Sequence, residues 1–142
     1  AKIVAQSKNG EVEIIHKLTI PVTSLCPCSK AISMYGAHNQ RGSVSIEMCG
    51  IDTSSYPEII HLIEKTAASS ELFEVIKRPD EKYVTEFAYN NPKFVEDVVR
   101  DTIGILQTSF PGKLLSVEAI NHESIHAHDA FAYTEFNVDI KK

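Results

Sequence analysis

The residues most able to do chemistry in this chain lie in two short stretches far apart in the sequence. The first is Ser24-Leu25-Cys26-Pro27-Cys28-Ser29-Lys30, followed by Tyr35-Gly36-Ala37-His38-Asn39-Gln40-Arg41. Cys26 and Cys28 are one residue apart, which does not match the two-residue gap of a structural zinc knuckle. The only other cysteine, Cys49, leaves no second pair to complete four ligands. One thiolate, one imidazole and one carboxylate would suit a three-ligand catalytic metal site with an open position. A Pro-bent loop with two half-buried thiols and a surface histidine accounts for the same residues.

The second stretch is Asn121-His122-Glu123-Ser124-Ile125-His126-Ala127-His128-Asp129, holding three of the chain's six histidines and two acids. His126 and His128 project the same way in an extended chain. Histidine and glutamate together can move protons near neutral pH, although a solvated polar hairpin would have the same composition. Two further clusters are weaker. Lys77-Arg78-Pro79-Asp80-Glu81 reads as a charged turn that could supply phosphate-binding cations and a carboxylate. Phe94-Val95-Glu96-Asp97 opens a helix, where acids favour the dipole and Glu96 could pair with Arg100. Glu96 is expected beyond the first turn, where the dipole explains it less well.

The elements that must position these residues follow from hydrophobic periodicity. Val12, Ile14, His16, Leu18, Ile20 and Val22 alternate as one face of a strand over 11–22, and Val44, Ile46 and Met48 mark a second strand closed by Gly50. Ser54, Ser55 and Pro57 start a helix whose stripe is Tyr56, Ile59, Ile60, Ile63 and Ala67. Asn91-Pro92 predicts the start of another, with Asn91 as cap and the stripe Val95, Val99, Ile103, Leu106 and Phe110. Leu115, Val117 and Ala119 predict a third strand; Ala130, Ala132, Thr134, Phe136, Val138 and Ile140 predict a fourth. Ala1-Lys2-Ile3-Val4 also reads as strand. The core order, strand-strand-helix-helix-strand-strand, predicts an α+β domain: an antiparallel sheet with two helices on one face. Such a sheet keeps free edges and one bare face, which predicts association into a homo-oligomer.

At 142 residues and 43% hydrophobic content the chain has material for one core, read as a single domain over 1–142. A net charge of -5, with acids and bases mixed throughout, gives no footprint for nucleic acid or an anionic membrane. The sequence shows neither a membrane-length apolar run nor a signal peptide. Three cysteines then read as reduced thiols in a cytoplasmic protein.

Taken together, the Ser24-to-Lys30 stretch, Gly36-Ala37-His38-Asn39-Gln40-Arg41, Lys77-Arg78-Pro79-Asp80-Glu81, Phe94-Val95-Glu96-Asp97 and Glu123-Ser124-Ile125-His126 resemble, in order, the signature of the type IB GTP cyclohydrolases. The resemblance implies the tunnelling fold, in which subunit sheets join into barrels and a glutamate holds a purine or pterin at the interface. It places that anchor at Glu96, where a carboxylate can accept two parallel N–H bonds from guanine. It places the metal, zinc, manganese or iron, on Cys26, His38 and Glu81, with Cys28 the alternative ligand or an acid/base group. Glu123, His126 and His128 become the proton-transfer set, and Lys30, Arg41, Lys77 and Arg78 the candidates for the triphosphate. The implied reaction converts GTP and water to 7,8-dihydroneopterin triphosphate and formate, the first step of folate and pterin synthesis. Enzymes of this family are about twice as long, with a second unit of the same fold, so the chain is also readable as the C-terminal half of such an enzyme. The rival readings are the archaeal relative that makes a cyclic phosphate of dihydroneopterin, the nitrile reductase of queuosine synthesis, whose cofactor stretch is not found here, and a non-catalytic purine- or metal-binding module.

Overall fold

The computed structural model describes residues 1–8 and 10–136. Five strands form one antiparallel sheet in which spatial order follows chain order: β1 (Lys2–Lys8), β2 (Glu11–Leu25), β3 (Asn39–Cys49), β4 (Leu114–Asn121) and β5 (Ala130–Glu135). The alternation in β2 holds from His16 to Val22, whose side chains are buried on one face while Thr19 and Pro21 point outward and are exposed. Pro21 lies beyond the last β1 pair, Lys2↔Lys17, so its missing N–H falls where β2 has a free side. Leu18 lies opposite Ile46, Ile20 opposite Val44, and those in turn face Val117 and Ala119. One apolar sheet face results.

Two helices cover it. α2 (Tyr56–Thr66) turns Ile59 and Ile63 inward, and α4 (Val95–Ser109) buries Val95, Val98, Val99, Thr102 and Leu106, the spacing of a single helical stripe. Together with the sheet face they form the core. Thr102 is tolerated there because its hydroxyl donates to the Val98 carbonyl at 2.7 Å. His16 is likewise buried, with Nδ1 2.7 Å from the Tyr56 hydroxyl. α1 (Pro27–Ile32) and α3 (Arg78–Asn90) lie at the periphery; α3 buries only Ala88.

The α+β sheet with helices packed on it agrees with the expectation, and several details correct it. The opening segment, expected as strand over 1–4, forms β1 and makes the sheet five-stranded rather than four-stranded. Val12 and Ile14 were expected on the buried face but are 70% and 42% exposed, because they pair with β1 outside the area the helices cover. Lys77 to Glu81 is not a turn but the start of α3, where the Lys77 N–H donates to Asp80 Oδ2 at 3.1 Å. Asn91-Pro92 does not start the following helix. Asn91 instead ends α3 and donates its side-chain amide to the carbonyls of Ala68 at 3.0 Å and Ser69 at 3.3 Å. α4 begins at Val95, with the Phe94 N–H donating to Asp97 Oδ2 at 3.0 Å, so Glu96 lies inside the first turn after all. Arg100 pairs with Asp97, not with Glu96. Val138 and Ile140, the end of the fourth expected strand, lie outside the described residues.

Candidate active site

The antiparallel β3–β4 ladder brings the two chemical stretches together. It sets the start of β3 beside the end of β4, and beyond its last pair the His122 N–H donates to the Arg41 carbonyl at 2.8 Å. The β2–β3 connection, carrying Cys26 to His38, therefore lies against the β4–β5 connection, carrying His122 to Asp129.

Ser29 organises the first connection. Cys26 caps α1, and its sulfur accepts the Ser29 N–H at 3.4 Å. The Ser29 hydroxyl donates to the Cys26 carbonyl at 3.2 Å and accepts the His38 N–H at 3.3 Å. The loop closes where the Cys26 N–H donates to the His38 carbonyl at 3.0 Å. A thiol and an imidazole thus share one braced base, with Cys26 and His38 half-buried and Cys28 exposed.

His38 Nδ1 is 3.0 Å from Gln40 Oε1 and 3.2 Å from Ser124 Oγ, so the second connection touches it directly. The His126 ring stands edge-on to His38 at 6.5 Å between centroids, and His128 stacks on His126 at 5.5 Å. His122 and Asp129, 2.9 Å apart, close the base of this loop. Glu123 is half-buried within it. Ser29, Gln40 and Ser124 received no role from the sequence. Their signal was only their place inside the quoted stretches, since each acts through a contact that the fold creates.

The other candidates are more dispersed. The Lys93 N–H donates to the Leu25 carbonyl at 3.1 Å, which draws the start of α4, and Glu96 with it, toward the same end of the sheet; Glu96 itself is exposed. Lys30 donates to the Tyr89 carbonyl and lies 4.5 Å over the Tyr89 ring, tying α1 to α3. Between these elements runs a groove of about 290 Å³ whose walls include Gly36, Ala37, Asn39 and Glu86. It adjoins, at Thr85 and Glu86, a shallower depression of about 490 Å³ walled by Arg78, Glu81 and Lys82. Arg41, Lys77, Arg78 and Glu81 are all exposed. Among the described residues no three His, Cys, Asp or Glu side chains are arranged to hold a metal ion. This chain therefore brings Cys26 and His38 to one loop and leaves Glu81 on a separate helix.

Cys49 plays no part here. It ends β3 at the far side of the sheet, buried, and desolvation pushes its thiol pKa up, reinforced by the Glu13 carboxylate and partly offset by Lys113.

The family model described as type I GTP cyclohydrolase folE2 matches residues 1–132. The chain belongs to this family. Curated relatives agree. The GTP cyclohydrolase FolE2 of Janthinobacterium sp. (strain Marseille) is 53% identical over 130 residues, 92% of this chain and 48% of the relative. That of Herminiimonas arsenicoxydans is 51% identical over 133 residues, covering 94% and 51%. That of Neisseria gonorrhoeae (strain ATCC 700825 / FA 1090) is 49% identical over 134 residues, covering 94% and 52%. The chain spans about half the length of the curated relatives it matches. The family identified from the spaced motifs is thus the family found. No described helix is long and apolar enough to cross a membrane.

Proposed function

We propose that the protein carrying this chain is a metal-dependent GTP cyclohydrolase of type IB, converting GTP and water to 7,8-dihydroneopterin triphosphate and formate in the cytoplasm. The observation that carries the reading is the braced loop that joins Cys26 to His38, with His126 and His128 set against it, in a chain of this family. A thiol and an imidazole are suitable donors for zinc, manganese or iron, so the residues fit the ion the reaction calls for. Glu81 from α3 would complete the set, with Cys28 the alternative to Cys26 as its thiolate. The ion, when bound, supplies Lewis acidity that lets water attack at neutral pH.

The chain's own residues do the rest. Glu96, exposed at the start of α4, accepts the N1–H and the 2-amino group of guanine and orients C8 of the base. His126 and His128 deliver a proton to the ring nitrogen released as the imidazole ring opens. Together with Glu123 they serve the later proton transfers that rearrange the ribose and close the pterin ring. Arg41, Lys77 and Arg78, all exposed, hold the triphosphate with Lys30. The dispersion of Glu81, Glu96 and the cations around the Cys26–His38 loop supports a site completed by a neighbouring subunit of a homo-oligomer. The intact protein incubated with GTP and each of the three metals should release formate and yield a product fluorescent after oxidation. Neither product with any metal would overturn the proposal.

A further inference from the structure

Gln40 is a buried amide, 6% exposed, on the helix-covered face of β3. The β2–β3 register sets it opposite Ser24, itself fully buried, and Gln40 Nε2 donates to Ser24 Oγ at 2.9 Å. With its nitrogen engaged this way, the other end of the amide, Oε1, can only accept. It lies 3.0 Å from His38 Nδ1. An acceptor at that distance places the hydrogen on Nδ1, and the lone pair of the neutral ring then belongs to Nε2.

We propose that Gln40, anchored by Ser24, is a positioning residue that holds His38 as the Nδ1–H tautomer and leaves Nε2 as the electron-pair donor. This rests on the proposed reading of His38 as a metal ligand. A ligating histidine normally spends its second nitrogen on a hydrogen-bond partner that sets ring orientation and tautomer. Here the partner reaches the ring from inside the sheet, so the core fixes the ligand from below while Ser124 Oγ meets the same nitrogen at 3.2 Å from the β4–β5 connection. The residue type follows from the geometry. Asparagine is one methylene too short to span Ser24 and His38 together, and a glutamate would bury a charge.

The test uses the intact protein, labelled with ¹⁵N at histidine and stripped of metal, with zinc as the probe. His38 signals are identified by their loss in His38→Ala. In the native protein the His38 ring should carry its hydrogen on Nδ1; Gln40→Leu should lose that single tautomer and bind zinc about 10- to 100-fold more weakly in competition with a chromogenic chelator. Leucine also strips Ser24 of its partner, so Ser24→Ala combined with Gln40→Leu removes both ends of the buried bond. That pair should melt close to the native protein and still bind zinc weakly, separating positioning from stability. A native His38 ring protonated at Nε2 overturns the proposal. So does native zinc affinity in Gln40→Leu when His38→Ala has lost it. Native zinc affinity in His38→Ala overturns instead the reading of His38 as a ligand, and the positioning role toward zinc with it.

Discussion

Three thiols in one chain occupy three different environments, and their reactivity should differ accordingly. Cys28 is exposed, Cys26 is half-buried with its sulfur accepting an N–H, and Cys49 is buried with a raised pKa. Because the thiolate is the reactive form, iodoacetamide near pH 8 should modify Cys28 first and leave Cys49 untouched until the protein unfolds; peptide mass spectrometry reads the order. Zinc added beforehand should protect Cys26 and spare Cys28 no label. Protection of Cys28 alone would move the proposed ligand there. The same scale decides base choice. Glu96→Gln should raise the KM for GTP by orders of magnitude with little change in melting, since the amide offers guanine's two N–H donors one acceptor and one opposing donor in place of a charged bidentate acceptor. Equal KM values would reduce Glu96 to a surface acid favouring the helix dipole. Residue types and spacing made Cys26, His38, His126 and His128 legible, because thiols and imidazoles are rare. Gln40 and Ser29 were not legible: an amide or hydroxyl becomes functional only through the register or loop closure that supplies its partner.

At the scale of elements, periodicity succeeded wherever a face is buried and failed where none is. Strands β2 to β5 and the helices α2 and α4 carry apolar side chains into one core, to which β1 adds none. α3 buries only Ala88, so it left no stripe to find, and its charged first turn read as a loop. Asn91-Pro92 misled because the asparagine side chain satisfies the Ala68 and Ser69 carbonyls rather than a helix start. Two elements have junctions that can be tested. A Cβ on Gly42 would stand 2.4 Å from the Ile120 carbonyl oxygen, where only backbone can yield. Gly42→Ala should therefore cost about 1–3 kcal/mol in urea unfolding and loosen the ladder that joins the two connections of the proposed site. Asp52 accepts the Ser54 N–H at 2.8 Å at the 3-10 turn before α2, and that bond lowers its pKa. A depressed carboxylate pKa stabilises the fold above the free value of about 3.9 and ceases to do so as pH falls through the lower folded value. The melting gap between the native protein and Asp52→Ala should thus narrow as pH drops from about 5 to about 2; a constant gap would exclude the carboxylate as its cause.

For the whole molecule, the sheet face opposite the helices and the surface around α1 and α3 carry the argument. On the open sheet face Lys17 pairs with Glu47, Thr19 bonds Ser45 at 3.0 Å, and Phe131 and Tyr133 remain 59% and 49% exposed. Near the proposed site Ile32, at the end of α1, and Met34 and Tyr35 just after it are 85–94% exposed. Exposed apolar side chains clustered beside the proposed metal loop suit a contact surface, and association would cover them while bringing a second Glu81, Glu96 or cation set within reach. The expected arrangement is a site in which the Cys26–His38 loop comes from one subunit and Glu96 from another. Cys26→Ala and Glu96→Ala should each be inactive as intact proteins. Mixed in equal amounts under conditions of subunit exchange, they should regain turnover at about a quarter of the sites, the random-mixing value for a site built from two chains. If both residues of a site belonged to one chain, every site in the mixture would keep one defect and turnover would stay at zero. A fully active monomer in sedimentation would refute the shared site more directly, because no second chain would be present to complete it.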